Sequence, residues 1–326
     1  MSVDKRFLSI SDLANLPHPQ WMIQDLFECS SLVMLAGPPG HMKSFLALSW
    51  VLSMAAGKQW NKRATTPAKV LYVLGEGKSN LLKRVQAWIT YNHLTPEELA
   101  RLETNFRVDF DVSQLASKAS VDNMLAQLSA EQFNPTVIVI DTFARSAVGL
   151  DENSQKDTGI WIESADRLRQ LGMTVIFLHH TNKNVEFGYK FRGSSAIEGA
   201  LDSAFVLHKD PQSGAIKLTC TKQKDHDEGN PLYFKVTQVI GPDGNREDSI
   251  VLTPAVIIDE GFTEDGRKIE EAIAKLLDDH TFLSDRARAR RLKELFPSIP
   301  TESACQNRIV KARQRLKANG EDDIIH

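Results

Sequence analysis

The sequence predicts a doubly wound α/β fold, in which a mostly parallel sheet carries helices on both faces and continues into an antiparallel extension. Three observations support this prediction. Apolar runs alternate with helical patterns from residue 33 to residue 180, as in repeated strand–helix–strand units. The run at 137–140 is wholly apolar and ends at Asp141, which is typical of a parallel strand buried on both faces. After residue 200, short strand patterns are separated by polar turns, which indicates antiparallel strands.

The predicted elements follow in order along the chain. Strand patterns begin at residue 33 and recur at 69–77, 136–141, 174–178, 203–207, 215–219 and 232–236. Apolar residues have helical spacing at 45–56, 79–92, 95–103, 120–132 and 154–171. Pro17 and Pro19 block a regular helix. Residues 1–30 are therefore expected to form an extended N-terminal arm that packs on the main domain.

The predicted main domain spans 31–258, and an acidic, glycine-containing linker follows at 259–266. Three helical patterns then form a small C-terminal domain over 267–326; they lie at 267–279, 284–295 and 301–318. Between 284 and 318 there are ten basic and three acidic residues, a net charge of about +7 in a chain of −3. This asymmetry favours nucleic-acid binding, and the segment resembles a helix-turn-helix in outline. A solvated helical face or a contact with an acidic subunit explains it equally well.

Composition restricts the class of protein. Of 326 residues, 42% are hydrophobic and 25% are charged, values typical of a globular chain. The cysteines Cys29, Cys220 and Cys305 form no CxxC pair, which argues against a zinc site or a disulfide framework and favours a reducing compartment. The N-terminus leads into no apolar signal segment, and no apolar run approaches ~18 residues. The sequence therefore predicts a cytoplasmic protein with no membrane partner.

The segment from residue 33 to residue 50 carries the strongest functional signal in the sequence, that of a phosphate-binding loop. An apolar run, a glycine-rich loop, Lys43-Ser44 and an amphipathic helical pattern follow one another, in the order of the GxxxxGK[ST] motif. Loop N–H groups and the helix N-terminus attract phosphates; Lys43 would reach the β- and γ-phosphates of ATP, and Ser44 would hold Mg²⁺. The predicted nucleotide-binding residues are Gly37, Pro38, Pro39, Gly40, His41, Met42, Lys43, Ser44 and Phe45.

Met42 departs from the loop motif, because it stands where the motif has its second glycine. Glycine at that position lets the backbone approach the phosphates closely, so a side chain there could weaken or reshape binding. The alternative to a nucleotide site is an ordinary strand–turn–helix with a chance Lys-Ser pair. The flanking strand and helix patterns favour the nucleotide site.

Three polar residues at the ends of predicted strands complete the expected chemistry of an ATPase. Asp141 ends a buried strand and is a candidate Mg²⁺ ligand. Glu76 lies at the end of the strand after the loop helix, where ligands bind in such sheets, and is the candidate general base; its alternative role is as a helix N-cap partner. His180 ends the next strand and could donate a hydrogen bond to the γ-phosphate, although a lone histidine is usually structural.

Six blocks of residues, taken together, resemble the RecA-type ATPases of hexameric replicative helicases, in the form found in plasmid RepA-type and phage-encoded proteins. The blocks lie at 35–44, 72–77, 139–142, 178–182, 191–202 and 221–225. The fifth block is similar to the segment after the sensor in DnaB-like helicases, and the sixth resembles the strand and turn that carry their finger residues. The resemblance covers residues 20 to about 240 and implies a RecA-like fold.

The resemblance also implies a role for each matching position. Glu76 would activate water, Asp141 would serve Mg²⁺, and His180 would replace the usual glutamine sensor. Lys222 and Lys224 would reach the ATP of a neighbouring subunit as trans-acting fingers, with Arg192 as a further candidate finger. Lys224 stands where an arginine is more usual, and an ammonium cannot form the bidentate fork of a guanidinium. The alternative for both lysines is a pair of exposed strand residues.

Two loops would face the central channel of such a ring. They span 143–156, which includes Arg145, and 183–192, which includes Lys183 and Lys190. The second loop interleaves aromatic and basic residues, the composition expected for gripping a single strand. A loop that does not bind nucleic acid is the alternative.

The sequence thus predicts an ATP- and Mg²⁺-dependent DNA motor of a phage or plasmid, a helicase or translocase on single-stranded DNA. We expect it to form a homo-oligomer, a hexameric ring by resemblance, and to meet other replication proteins. One rival is a RecA-like recombination or strand-annealing ATPase. A second is a nucleotide-switched DNA-binding regulator or helicase loader, in which Met42 reflects slow turnover.

Overall fold

The computed structural model describes most of the chain, namely residues 7–15, 18–111, 117–147, 149, 154–181, 195–210, 214–241, 244, 246–255, 272–273, 275–277, 284–297, 299, 301–303 and 305–310. The chain divides into two compact units, one within Met1–Asp210 and Gly214–Ala255 and the other within Pro211–Ser213 and Val256–His326. None of the helices described is both long and apolar enough to cross a membrane.

The first unit alternates strands and helices along most of its length. Its elements are α1 (Ile10–Ala14), β1 (Trp21–Ile23), β2 (Phe27–Glu28), β3 (Leu32–Gly37), α2 (Lys43–Ala56), β4 (Val70–Leu74), α3 (Lys78–Asn92), α4 (Pro96–Asn105), β5 (Phe106–Asp109), α5 (Lys118–Ala130), β6 (Val137–Asp141), α6 (Phe143–Ser146), α7 (Gln155–Gln170), β7 (Thr174–His180), α8 (Ser195–Ala200), β8 (Ser203–Lys209), β9 (Ile216–Gln223), β10 (Leu232–Ile240) and β11 (Arg246–Pro254).

Nine of these strands form one sheet in the order β11-β10-β9-β8-β3-β7-β6-β4-β5. The strands from β8 to β5 in this order pair in parallel, and β9, β10 and β11 extend the sheet by antiparallel pairing. The predicted class, a doubly wound and mostly parallel sheet with an antiparallel extension, is confirmed.

Strand β3 shows why both faces of the sheet are covered. Successive side chains of a strand point to opposite faces, and every residue of β3 is buried. Leu32, Met34 and Ala36 pack in one apolar cluster with residues of α5 and α7, whereas Val33 and Leu35 pack in a second cluster with residues of α2 and α3. An uninterrupted apolar run is what a strand between two helical layers requires.

The N-terminal region differs from the extended arm that was expected. The short helix α1 precedes Pro17, and β1 pairs with β2 in a small antiparallel ribbon. Ile23 and Phe27 of this ribbon are fully buried in the core cluster of α2. The apolar side chains after Pro19 therefore build part of the core instead of an arm on its surface.

The second unit has a small apolar core of its own. Its clearest helix is α9 (Asp285–Leu295), which begins after Ser284, whose side chain accepts a hydrogen bond from Ala287 N. Helical residues also occur at 272–273, 275–277, 302–303 and 305–310. Their buried side chains pack together, among them Ile273, Leu292 and Ile309. The predicted linker at 259–266 and the end of the predicted helix 301–318 lie outside the described residues.

Candidate active site

The strand ends that carry the predicted site residues meet at one edge of the sheet. Because β3, β7, β6 and β4 run in parallel, their carboxyl ends lie side by side. Gly37 pairs with His180 in the register of β3 and β7, and Leu74 pairs with Asp141 in that of β4 and β6. Gly75 N donates to Asp141 O at 2.7 Å. The fold therefore gathers the phosphate-binding loop, His180, Asp141 and Glu76 at this edge.

Gly37 is required at the start of the loop by a close contact. A Cβ atom at this position would lie 2.3 Å from the carbonyl oxygen of Leu207 in β8. Any side chain would therefore force the loop and β8 apart. Pro38 is buried behind the loop, Pro39 and Gly40 are exposed, and His41 N donates to Pro38 O at 3.3 Å.

Met42 adopts the backbone conformation of the glycine that it replaces. Its φ of 67° and ψ of 21° lie in the left-handed region, immediately before α2. A side chain in that region costs ~1–2 kcal/mol. The Met42 side chain is half-buried against the core cluster of α2. The loop therefore keeps the turn of its motif despite the strain, and packing of the methionine offsets part of the cost.

His41 attaches the loop to β8. Its Nδ1 accepts a hydrogen bond from Lys209 N at 2.8 Å, and its ring lies 5.2 Å from that of His208. Burial, followed by the charges of His208, Lys43 and Lys209, lowers the pKa of His41 to about 4. The imidazole is therefore neutral near pH 7, as an acceptor at Nδ1 must be.

Lys43 begins α2 and its ammonium lies inside the loop. Its Nζ donates to Gly37 O at 2.8 Å and to Pro38 O at 3.0 Å, and only 6% of the residue is exposed. Burial lowers the pKa of Lys43 to about 8, and the charge of Asp141 opposes that shift. The ammonium is thus held by carbonyl oxygens of the loop itself.

Ser44 and Asp141, the two predicted Mg²⁺ ligands, lie near each other at the start of α2. The Asp141 carboxylate accepts a hydrogen bond from Tyr72 Oη at 2.9 Å, and the nearby Ser44 hydroxyl, like Tyr72, lowers the pKa of this carboxyl. Asp141 is only 5% exposed, and burial raises its pKa, against the effect of these two hydroxyls. No cluster of three or more His, Cys, Asp or Glu side chains suited to a metal occurs among the described residues. A hydroxyl and one carboxylate fit Mg²⁺, which keeps water and phosphate oxygens as its other ligands.

His180 lies beside the loop lysine. Its Nδ1 is 3.2 Å from Lys43 Nζ. Because an ammonium only donates, Nδ1 accepts this hydrogen bond and the ring proton of a neutral His180 is on Nε2. The preceding His179 is buried and its ring lies 4.9 Å from that of Phe143. The sensor prediction therefore falls on a histidine in direct contact with the loop.

Glu76 and Arg145 are neighbours, which the sequence patterns did not predict. Arg145 Nε donates to Glu76 Oε1 at 2.8 Å, and the two side chains are 55% and 58% exposed. Glu76 follows β4 and Arg145 lies in α6 after β6, so the pairing of β4 with β6 brings them together. The candidate base and a candidate nucleic-acid contact thus share one ion pair.

Two residues of the site were missed from the sequence. Tyr72 is fully buried in β4, and a buried phenol needs a hydrogen-bond partner, so a tyrosine inside an apolar strand was the available signal. Arg84 of α3 lies over the ring of Phe45 at 4.8 Å, and its charge lowers the pKa of Asp141. Helical spacing alone did not show that Arg84 faces the loop.

Lys222 and Lys224 lie toward the other end of the same strands. Lys222 of β9 pairs with Ala204 of β8, and Ala204 pairs with Met34 of β3. Met34 precedes Gly37 by three residues, so Lys222 is level with a point about 10 Å along β3 from the start of the loop. Lys222 Nζ donates to the carbonyls of Glu198 (2.6 Å) and Gly199 (3.2 Å) in α8.

Lys224 Nζ lies 3.5 Å from Asp202 Oδ1. Both lysines therefore contact groups of their own chain, away from the loop. The predicted Lys183, Lys190 and Arg192 lie outside the described residues.

Residues 5–186, more than half of the chain, match the AAA_25 family, described as an AAA domain. The chain is similar to a KaiC-like protein from the hyperthermophilic archaeon Pyrococcus horikoshii OT3, with 19% identity, a TM-score of 0.47 and coverage of 72% of this chain and 94% of that chain. It is also similar to a RadB recombinase, with 18% identity, a TM-score of 0.45 and coverage of 64% and 88%. No curated protein matches the chain.

Proposed function

The chain belongs to the AAA_25 family of AAA domains, and from this premise we propose that it is an ATP-dependent motor on single-stranded DNA. It would act as a replicative-type helicase or translocase of a phage or plasmid. Its working form would be a homo-oligomeric ring, expected to be a hexamer, in contact with other replication proteins.

One observation carries the ATPase part of this proposal. The Lys43 ammonium is buried inside the loop, while the hydroxyl of the next residue, Ser44, lies near the buried carboxylate of Asp141. A cation for phosphates and an oxygen pair for Mg²⁺ are therefore side by side at the start of α2. This is the arrangement that phosphoryl transfer needs, because positioning and charge stabilisation supply most of the catalysis.

Each residue then has a role in hydrolysis. Ser44 and Asp141 would hold Mg²⁺, which neutralises charge on the β- and γ-phosphates when it is bound. Lys43 would exchange the loop carbonyls for phosphate oxygens. Glu76 would orient the attacking water and accept its proton, and His180 Nε2–H would donate to the γ-phosphate.

The oligomeric part of the proposal rests on Lys222 and Lys224. Both lysines contact groups of their own chain away from its loop, whereas a neighbouring subunit's ATP could meet this end of the sheet. Lys222 would first have to leave the two α8 carbonyls that it contacts. Arg192 is a further candidate for a residue that reaches the ATP of the neighbouring subunit.

The DNA part of the proposal rests on charge. Arg145 is exposed at the carboxyl edge of the sheet, and Lys183 and Lys190 would extend this contact. In the second unit, Arg286, Arg290 and Arg291 of α9 are exposed, as a helix that meets DNA phosphates requires.

The test is ATP hydrolysis by the full chain with and without single-stranded DNA, with Lys43→Ala as the control. We expect turnover that DNA stimulates and that the variant loses. Strand displacement then separates the motor from a recombination or strand-annealing ATPase, which would hydrolyse ATP without unwinding. Absence of nucleotide binding would overturn the proposal.

The second candidate function is a nucleotide-switched DNA-binding regulator or helicase loader. The observation that favours it is Met42, whose side chain occupies a left-handed position next to the expected phosphates. In that case ATP binds without measurable turnover. Glu76→Gln then leaves the already negligible rate unchanged, whereas it abolishes the turnover of an enzyme.

A further inference from the structure

The Glu76–Arg145 ion pair joins two groups that the proposed function assigns to different tasks. Glu76 would accept a proton from water, and Arg145 would contact nucleic acid. In the structure, Glu76 Oε1 instead accepts a hydrogen bond from Arg145 Nε at 2.8 Å. A carboxylate oxygen that is engaged by a guanidinium is turned toward it and is a poorer acceptor for the proton of a water.

The backbone that carries Arg145 is fixed to the core. Phe143 of α6 is buried, with its ring 4.9 Å from that of Trp161. Trp161 Nε1 donates to the Oγ of Ser146, also in α6, at 3.2 Å. Arg145, by contrast, is 55% exposed. Arg145 can therefore change partner by rotating its side chain, while α6 stays in place.

The pair is also weak enough to be replaced. Ion pairs at this exposure are screened by solvent and contribute little to stability. A nucleic-acid phosphate offers the Arg145 guanidinium two oxygens in a bidentate geometry. The negative charge of the nucleic-acid strand also attracts the guanidinium. A phosphate that reaches α6 thus competes well for Arg145.

We propose that the Glu76–Arg145 pair is a latch on hydrolysis, in which Arg145 holds Glu76 away from the attacking water until a single-stranded nucleic-acid phosphate takes Arg145. This inference rests on the proposed function and adds how nucleic acid regulates the site. Arg145 is a positioning residue, because it acts through Glu76. When a phosphate binds Arg145, the Arg145 side chain rotates away from Glu76. Glu76 is then able to activate the water.

The test measures ATP turnover of the full chain with no nucleic acid and with saturating oligo(dT). Arg145→Ala should raise turnover without DNA about two- to fivefold, the range that loss of an exposed ion pair allows. The stimulation by oligo(dT) should fall by a similar factor. Arg145→Lys keeps the charge but loses the Nε–H donor. Its turnover without DNA should lie between that of the unaltered chain and that of Arg145→Ala.

Arg167→Ala is the matched control. Arg167 pairs with Asp122 on α5, and the two side chains are 38% and 45% exposed, so this variant also loses a surface arginine and an ion pair. Its turnover and its stimulation should equal those of the unaltered chain. Arg145→Gln replaces Arg145→Ala if the thermal midpoint shows that the alanine variant does not fold.

The outcomes separate the latch from the proposed function. If the unaltered chain hydrolyses ATP and Arg145→Ala does not raise turnover without DNA, the latch is overturned and the ATPase stands. If the unaltered chain hydrolyses ATP only with oligo(dT), whereas Arg145→Ala hydrolyses it with and without oligo(dT), the latch is supported. If neither hydrolyses ATP, both the latch and the proposed function are overturned.

Discussion

At the scale of single residues, Met42 shows how a departure from a motif is accommodated. The loop requires a left-handed residue before Lys43, and Met42 adopts that conformation with φ 67°. The fold therefore sets the left-handed conformation of this turn, while the type of residue at position 42 determines its cost in free energy. Half-burial of the side chain against the α2 cluster explains why the methionine is tolerated there.

Met42→Gly should tighten ATP binding about three- to tenfold. Glycine removes both the left-handed strain and the Cβ atom that limits approach of the phosphates. The measurement is a titration with a fluorescent ATP analogue. Met42→Ala is the control, because it removes the packing of the side chain but keeps the Cβ atom and the strain. Equal affinities of the two variants would contradict the prediction.

His41 makes the stability of the loop depend on pH. Its pKa is about 4 in the folded chain, against an ordinary value of 6.5, chiefly because of burial. Between these values the unfolded chain binds more protons, so the free energy of unfolding contributed by His41 is complete above pH 6.5 and is lost as pH falls toward 4.

Urea unfolding of the full chain at a series of pH values tests this prediction. His41→Asn keeps an acceptor for Lys209 N but cannot titrate, so its unfolding free energy should fall less steeply between pH 6.5 and 4. Parallel curves for the two proteins would show that other groups govern this range.

At the scale of elements, the pairing of β4 with β6 builds most of the site. It places Tyr72 against Asp141 and Glu76 beside Arg145. Both contacts connect residues 69 positions apart in the chain. Strand patterns predicted both strands from their apolar runs, but the contacts between them depend on a register that no local pattern contains.

Tyr72→Phe should lower turnover about tenfold and move its acid limb to higher pH. The Tyr72 hydroxyl orients Asp141 and lowers the pKa of that carboxyl, which burial has raised. Partners of metal-ligating groups typically contribute about 10–100-fold to affinity or activity. The pH profile of turnover at saturating Mg²⁺ is the measurement. Tyr91→Phe, at an exposed tyrosine of α3, is the control; an acid limb that does not move would contradict the role of Tyr72.

At the scale of the whole molecule, opposite charges are separated along the chain. The segment 284–318 carries about +7 in a chain of net charge −3. Of its basic residues, Arg288 is buried, and its Nε donates to Leu276 O at 2.7 Å. Part of the basic character of the second unit is thus structural, and Arg286, Arg290 and Arg291 remain exposed for a partner.

Triple substitution of Arg286, Arg290 and Arg291 by alanine should weaken DNA binding by the full chain. The slope of log affinity against log salt should fall by about 3, because each arginine that no longer neutralises a phosphate removes roughly one from it. Fluorescence anisotropy over a salt series is the measurement. A chain that ends at residue 262 should bind DNA at least as weakly as the triple variant. Unchanged DNA affinity in that truncated chain would exclude the DNA-binding hypothesis for the C-terminal helices.

Much of the fold could be predicted because its signals are local. The elements α2, α3, α5 and α7 and the buried strands β3, β4, β6 and β7 have strong periodic or apolar patterns. Two of the strands that were not predicted lack them: β5 mixes polar and apolar residues within four positions, and β11 begins with charged residues. They form strands because β5 pairs with the edge of β4 and β11 pairs with the edge of β10 through backbone hydrogen bonds.

The sequence by itself determined which residue types the candidate site contains. Lys43 and Ser44 in a loop motif, and Glu76, Asp141 and His180 at strand ends, are identifiable because residue type, order and apolar context are properties of the chain.

Only the tertiary structure decided which of these groups touch. It placed His180 on Lys43, Tyr72 and Ser44 on Asp141, and Arg145 on Glu76. It also placed Lys222 and Lys224 away from the loop of their own chain. The physical reason is that strand order and register bring together residues distant in sequence, and contacts and burial between them arise only when the sheet is assembled.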